Sequence, residues 1–174
     1  MKDIPPDFSK LRFGIMHVEK IDGFNSQVAP GAFQLVFEVE EIARQAGGEQ
    51  HHLRFIQLPF NLAMPEAYGL LNQSDGKEKL SPLAAASKSG IAVMGSATLQ
   101  QSHLIHGLPV FIARVLGMKT DAENAIQFSR SAPGLTTALI GMGHKEHVTA
   151  NLKPAFLPPA KREEWRKLFI EHEE

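Results

Sequence analysis

Residues 136–152 read TTALIGMGHKEHVTANL, and the reading of that stretch decides the fold. Residues 136–141 are β-branched, apolar or small, which suits a buried strand. Gly141-Met142-Gly143 ends the run. A polar segment with helical spacing follows, so a helix is expected from about 145 to 153. Strand, glycine turn and helix make one βα unit, and working outward from it the unit recurs. "GIAVMGSATL" (90–99) and "LRFIQLPF" (53–60) are apolar runs of strand length, the latter with Pro59 near its end. "LRFGIMHVE" (11–19) is another, followed by a loop rich in Gly, Asn and Pro. The intervening segments read as helices. Residues 32–46 place Phe33, Val36, Phe37, Ile42 and Ala43 near one face, with Gly47-Gly48 as the stop. Residues 67–73 and 82–89 are shorter helices, the second starting at Ser81-Pro82 as N-cap and N1. Residues 121–131 start at Asp121 as N-cap. A final amphipathic helix, 160–171, carries Trp165, Leu168 and Phe169 on one side.

Four strand–helix pairs in series predict an α/β fold with parallel strands near 11–18, 53–59, 91–96 and 136–141. Sequential parallel strands favour adjacency, so that is also the expected spatial order. The strands are continuous apolar runs, which predicts a sheet covered on both faces. No linker or low-complexity tract interrupts the chain, so one domain over 1–174 is expected. Composition narrows the function classes. The formal net charge is −1 and charged residues make up 21%, without the basic excess that nucleic acid demands. No apolar run approaches the roughly 20 residues that span a bilayer. The start of the chain has no apolar signal segment, so a cytoplasmic protein is expected. There is no cysteine, which removes thiol chemistry and disulfides.

In parallel α/β folds ligands sit beyond the carboxyl ends of the strands. Gly141 and Gly143 fall at such an end. Glycine permits close backbone approach, and a helix N-terminus offers free N–H groups to an anion. His144, Lys145 and His147 add donors or positive charge. Two readings fit: a phosphate site, or a tight βα turn that needs glycine for its backbone alone.

The segments "HHLRFIQLPFNLAMPEA", "KSGIAVMGSATL" and "NAIQFSRSAPGLTTALIGMGHKEHVTANL", taken in order, resemble the C-terminal half of an aldo-keto reductase. The resemblance runs over residues 11–158, with 159–174 as an added C-terminal helix. It implies half of a TIM-type (β/α)8 barrel and a nicotinamide cofactor, NADP(H), with NAD(H) as the alternative. It implies roles for particular residues. Gln57 matches the glutamine that holds the nicotinamide carboxamide, and Ser96 a loop serine near the pyrophosphate. Gly141, Met142, Gly143, His144 and Lys145 match the segment around the adenosine 2′-phosphate, and Asn151 an asparagine at the adenine. His147 stands where the family usually has an arginine; histidine is a weaker, pH-dependent substitute. The place of a ring-stacking tyrosine falls at Gly95, and that of a Ser-Asn pair at Met16-His17.

The family's catalytic Asp, Tyr, Lys and His lie in the other half of the barrel, and nothing in this sequence corresponds to them. The single tyrosine, Tyr68, falls after the second strand. The resemblance therefore implies a cofactor cradle without a proton donor, inactive by itself. Four strands also leave two open edges. That implies a partner, either a second copy of this chain or a complementary N-terminal half-barrel chain. The alternative function is a non-catalytic nucleotide-binding or interaction module. Other motifs carry less. His103/His106 and His144/His147 have helical metal-ligand spacing but no third ligand pattern. The acidic run at 38–41 reads as a solvated helix face, and the last helix as packing on its own domain.

Overall fold

The computed structural model describes residues 35–169. The expected strand at 11–18, Met16-His17, Phe33 and residues 170–171 of the last helix lie outside the described residues.

Helix α1, Leu35–Gly47, buries Val36 and half-buries Phe37. Ile42, expected on the same face, is 63% exposed. Six residues at 3.6 per turn carry it about 240° around the axis from Val36. The inward positions include Glu40 instead, which accepts from the Ser89 hydroxyl and pairs with Arg44 at 3.0 Å. Gly48, at φ +69°, takes the left-handed conformation that ends the helix.

Strand β1 is Phe55–Pro59. Helix α2, Glu66–Gly69, is shorter than the 67–73 read from sequence. The chain turns instead into a two-stranded antiparallel hairpin, β2 (Gln73–Ser74) with β3 (Lys79–Leu80). Asp75 organises its turn by accepting from the Lys77 and Glu78 N–H groups, both at 2.9 Å. Gln73 is buried because its Oε1 accepts from the Val36 N–H at 3.1 Å, tying the hairpin to the start of α1.

Helix α3, Pro82–Lys88, begins as read, with the Ser81 hydroxyl accepting from the Ala84 N–H and proline at the first position. Strand β4 is Ala92–Ser96. Helix α4, Val110–Leu116, between Pro109 and the left-handed Gly117, was not anticipated. Helix α5, Asp121–Arg130, is capped by Thr120 rather than Asp121. Thr120 and Glu123 form a reciprocal capping box. Asp121 instead accepts from the Leu108 N–H at 3.1 Å. Strand β5 is only Thr137–Ala138. Helix α6, Lys145–Leu152, and α7, Arg162–Arg166, follow, with a 3₁₀ turn Lys153–Phe156 between them and another, Lys167–Phe169, after α7.

The sheet order among the described residues is β1-β4-β5, all parallel. Gln57 pairs with Met94, Met94 with Thr137, and Pro59 with Ser96. Among the described residues helices cover one face of the sheet, where cover on both was expected. Ile56, Leu58, Phe60, Ile91 and Val93 are buried with Leu83 and Ala86 of α3, Ile112 and Leu116 of α4, Phe128 of α5 and Trp165 of α7. On the opposite face Phe55, Gln57, Pro59, Ala92, Met94 and Ser96 all keep partial exposure. The apolar runs hide an alternation in burial: the strands bury one set of side chains under helices and present the other outward, as the inner wall of a barrel would.

The α7 docking is specific. Trp165 is fully buried, donates its indole N–H to the Phe128 carbonyl at 2.8 Å, and stacks on the Phe128 ring. Phe128 in turn stacks on Phe60. Thus the last helix is pinned through α5 to the end of β1.

Candidate functional site

Three parallel strands point their carboxyl ends the same way, and the loops leaving them carry the candidate residues. Gln57 is not in a loop. It lies in β1, on the open face, in register with Met94 of β4. Ser96 is the last residue of β4, two positions farther along the same face. Its carbonyl accepts from the Phe60 N–H at 3.0 Å, which fixes where the β4 loop starts. Asn61 then joins the two exits: its amide donates to the Ala97 carbonyl at 2.9 Å while its Oδ1 accepts from the Ala63 N–H at 2.8 Å.

The loop after β4 is conformationally unusual. Ala97, Gln100, Gln101 and Ser102 all have positive φ, between 46° and 71°, without being glycine. Each such residue costs about 1–2 kcal/mol. Thr98 is 1% exposed, and its hydroxyl has no hydrogen-bond partner among the described residues. Nothing in "ATLQQSHL" announces this, because the usual marker of left-handed backbone is a glycine. His103 and His106 are exposed on this loop. Among the described residues no three His, Asp or Glu side chains converge as metal ligands would.

The loop after β5 bears on the two readings of Gly141 and Gly143. Neither has a positive φ, and a Cβ added at either would meet nothing within 4 Å. The turn as folded does not require glycine. What glycine leaves here is bare backbone facing open space at the mouth of α6. His144 occupies the N-cap position in an extended conformation, with no side-chain cap bond. The first-turn N–H groups of α6 are therefore not capped by a side chain. Lys145, Glu146 and His147 are exposed in that turn. The His144 and His147 rings meet edge to face, their centroids 5.3 Å apart. Asn151, the penultimate residue of α6, is 8% exposed and its amide reaches the Gly141 carbonyl at 3.5 Å. It holds the loop from beneath. Met142 is half-buried between the glycines.

Electrostatics behind the loop are ordered by one carboxylate. Burial alone would raise the Glu123 carboxyl, but a hydrogen bond from Lys153 and the Lys119 and Thr120 N–H groups outweigh it and hold it below its ordinary value. Lys153, just past α6, is thereby committed to α5 at 3.3 Å.

One sequence assignment changes. Gly95 lies on the buried face: a Cβ there would come within 3.1 Å of the Leu135 side chain. A tyrosine at that position would drive into the helix layer. Met94, in register with Gln57, is the β4 side chain beside it on the open face. It escaped notice because Met reads as core filler. Tyr68, in α2, is packed edge-on against Trp165 at 4.7 Å and beside Phe169, and accepts from Arg166 Nε at 3.2 Å. Its place is in the α7 docking cluster.

These donors and open glycines suit a phosphate, and the amide of Gln57 beside Met94 suits a flat polar ring. No protein-family model matches the chain, and no curated protein matches it. No helix among the described residues is long and apolar enough to cross a membrane. The similarity lies in three dimensions. The holo form of aldo-keto reductase AKR11C1 from Bacillus halodurans superposes with a TM-score of 0.50 at 14% identity, over 75% of this chain and 54% of that one. The apo form of the same protein gives 0.51, 14%, 76% and 54%. The chain thus spans about half the length of the solved structures it matches, and its fold is similar to part of an aldo-keto reductase barrel.

Proposed function

We propose that this chain supplies the nucleotide-binding half of an NADP(H)-dependent oxidoreductase of aldo-keto reductase type. The observation that carries the reading is the pair of glycines in the loop after β5 whose backbone does not need glycine. They leave room for a ligand to approach the first turn of α6, where N–H groups and Lys145 meet a phosphate. Gln57 orients the carboxamide of the nicotinamide on the open sheet face, with Met94 against the ring. Ser96 donates to the pyrophosphate. His144 and His147 flank the 2′-phosphate, and Asn151 holds the loop to which the adenosine end binds. A bound reduced nicotinamide would supply a hydride. Proton donation to the substrate oxygen falls to a partner, either a complementary N-terminal half-barrel chain or a second copy.

Titration of NADPH by calorimetry tests this. Saturable binding is expected, weakened about tenfold or more in Lys145→Glu through loss of a charge-assisted contact and gain of repulsion. No binding by the parent chain would refute the reading, and unchanged binding in the variant would move the site elsewhere. The purified chain alone is expected not to reduce an aldehyde panel.

A second reading, a non-catalytic nucleotide-binding or interaction module, is favoured by Tyr68. The chain's one tyrosine is engaged with Trp165 and Phe169 and is not available as a proton donor at the strand ends. NADPH-dependent turnover on mixing with an N-terminal half-barrel chain would decide for the oxidoreductase. Binding without turnover in that mixture would decide for the module.

A further inference from the structure

We propose that two copies of this chain join through their β5 edges as an isologous dimer, the two strands antiparallel and Ala138 opposite Ala138 on the two-fold axis. Among the described residues β5 is a terminal strand, with β4 on one side and no strand on the other. The Leu139 N–H donates to the Gly95 carbonyl at 2.8 Å, on the β4 side. Strand backbone alternates, so the N–H and C=O of Ala138 point to the open side. The edge carries none of the usual guards. Residues 136–140, TTALI, hold no charge and no proline, and such an edge is a template for another strand. The strand expected from sequence at 11–18 precedes α1 and by right-handed crossover belongs beside β1, which leaves the β5 edge to a second chain.

The pattern is complementary to itself. Met94 pairs with Thr137, so Thr137 and Leu139 share the open face, and both are exposed. An antiparallel pair centred on Ala138 lets the two alanines exchange both backbone hydrogen bonds. It sets Thr137 of each copy against Leu139 of the other at the closer, non-hydrogen-bonded spacing. The helix layer agrees. Helix α6 packs on α5 and on the 3₁₀ turn Lys153–Phe156. The right-handed sense of β4–α5–β5 carries it past β5, over the open edge. Leu152, Phe156 and Leu157 are exposed there, Phe156 by 85%. Lys153, within that patch, is already neutralised by Glu123 at 3.3 Å. The two-fold axis brings the two α6 helices together antiparallel above the seam, with dipoles opposed and the Lys145 side chains apart. Antiparallel joining also points the two sets of strand ends in opposite directions. Neither copy then completes the other's site, which, resting on the function proposed above, leaves proton donation to a different chain.

Sedimentation velocity from about 1 to 200 µM tests the dimer, because a seam this narrow suits micromolar affinity. Expected is a monomer–dimer equilibrium that stops at the dimer, since an isologous contact closes. Leu139→Lys, with two like charges flanking the axis, should weaken it about tenfold or more. Val110→Lys, at an exposed apolar position on α4, should change it by less than about twofold. Because the chain has no cysteine, introduced ones read the register. A mixture of Thr137→Cys and Leu139→Cys chains should cross-link severalfold faster under mild oxidation than either variant alone. A monomer throughout, growth beyond the dimer, a dimer indifferent to Leu139→Lys, or cross-linking without preference for the mixed pair would each overturn the proposal. Should Leu139→Lys fail to fold, the cross-linking decides. Neither measurement involves a nucleotide, so their failure leaves the function proposed above intact.

Discussion

Gly134 and Gly141 sit seven residues apart and are glycine for opposite reasons. Gly134 has φ +89°, and a Cβ there would come within 2.9 Å of the Leu83 carbonyl oxygen. The backbone of α3 cannot yield as a flexible side chain would. Gly134→Ala is expected to destabilise by about 1–3 kcal/mol, read as a lower denaturation midpoint at constant slope. Gly141→Ala and Gly143→Ala, with open space around the new methyl, should change stability by less than about 0.5 kcal/mol. If either of the last two costs as much as the first, the loop adopts another conformation and the open-backbone description fails. The sequence could not separate these cases, since each glycine follows or precedes an apolar run. It did locate the loop itself correctly, because a strand, two glycines and a polar helical segment leave few alternatives. The Gly95 assignment went astray for a related reason. Position along a strand was legible, but the face was not, until Leu135 was seen against it.

Among elements, α5 shows how a local signal is read half right. Its bounds were apparent from "DAENAIQFSR", yet the cap is Thr120. Thr and Asp stand side by side, and either suits an N-cap. Tertiary demand decided, because Asp121 is needed by Leu108. Thr120→Ala should cost about 1 kcal/mol. Glu123 serves the same cap and also Lys153, and its carboxyl is held below the ordinary value. A depressed carboxylate stabilises the fold at pH above its unfolded-state value, and that contribution disappears as pH falls through the folded-state value. Glu123→Gln should therefore be less stable than the parent near neutrality, the two converging in acid; a constant gap across the acid limb would refute the assignment. Helix α4 went unread although Pro109 and Gly117 bracket it. At seven residues it is too short for periodicity to assert itself. The β2–β3 hairpin was missed likewise, two residues per strand being below any pattern.

At the scale of the whole molecule, parallel order and βα alternation were legible because they depend on many residues at once. One-sided cover was not, because an apolar residue looks the same whether a helix or a partner covers it. The half-exposed wall of Phe55, Gln57, Ala92 and Met94 supports our proposal that the chain works with another. Sedimentation is expected to show a species heavier than the 19.1 kDa chain, or one that forms on adding an N-terminal half-barrel. A cooperatively folding monomer indifferent to both would count against it. The layering has a further consequence for light. The chain holds one tryptophan, and Trp165 is locked behind the sheet, stacked on Phe128, which stacks on Phe60. It cannot touch a ligand on the open face. Yet reduced nicotinamide absorbs where a buried indole emits, so a dinucleotide beside Gln57 should drain the Trp165 emission by energy transfer without shifting its wavelength. A red shift instead would mean that α7 had left its seat, and the same single chromophore thus separates occupancy of the site from undocking of the last helix.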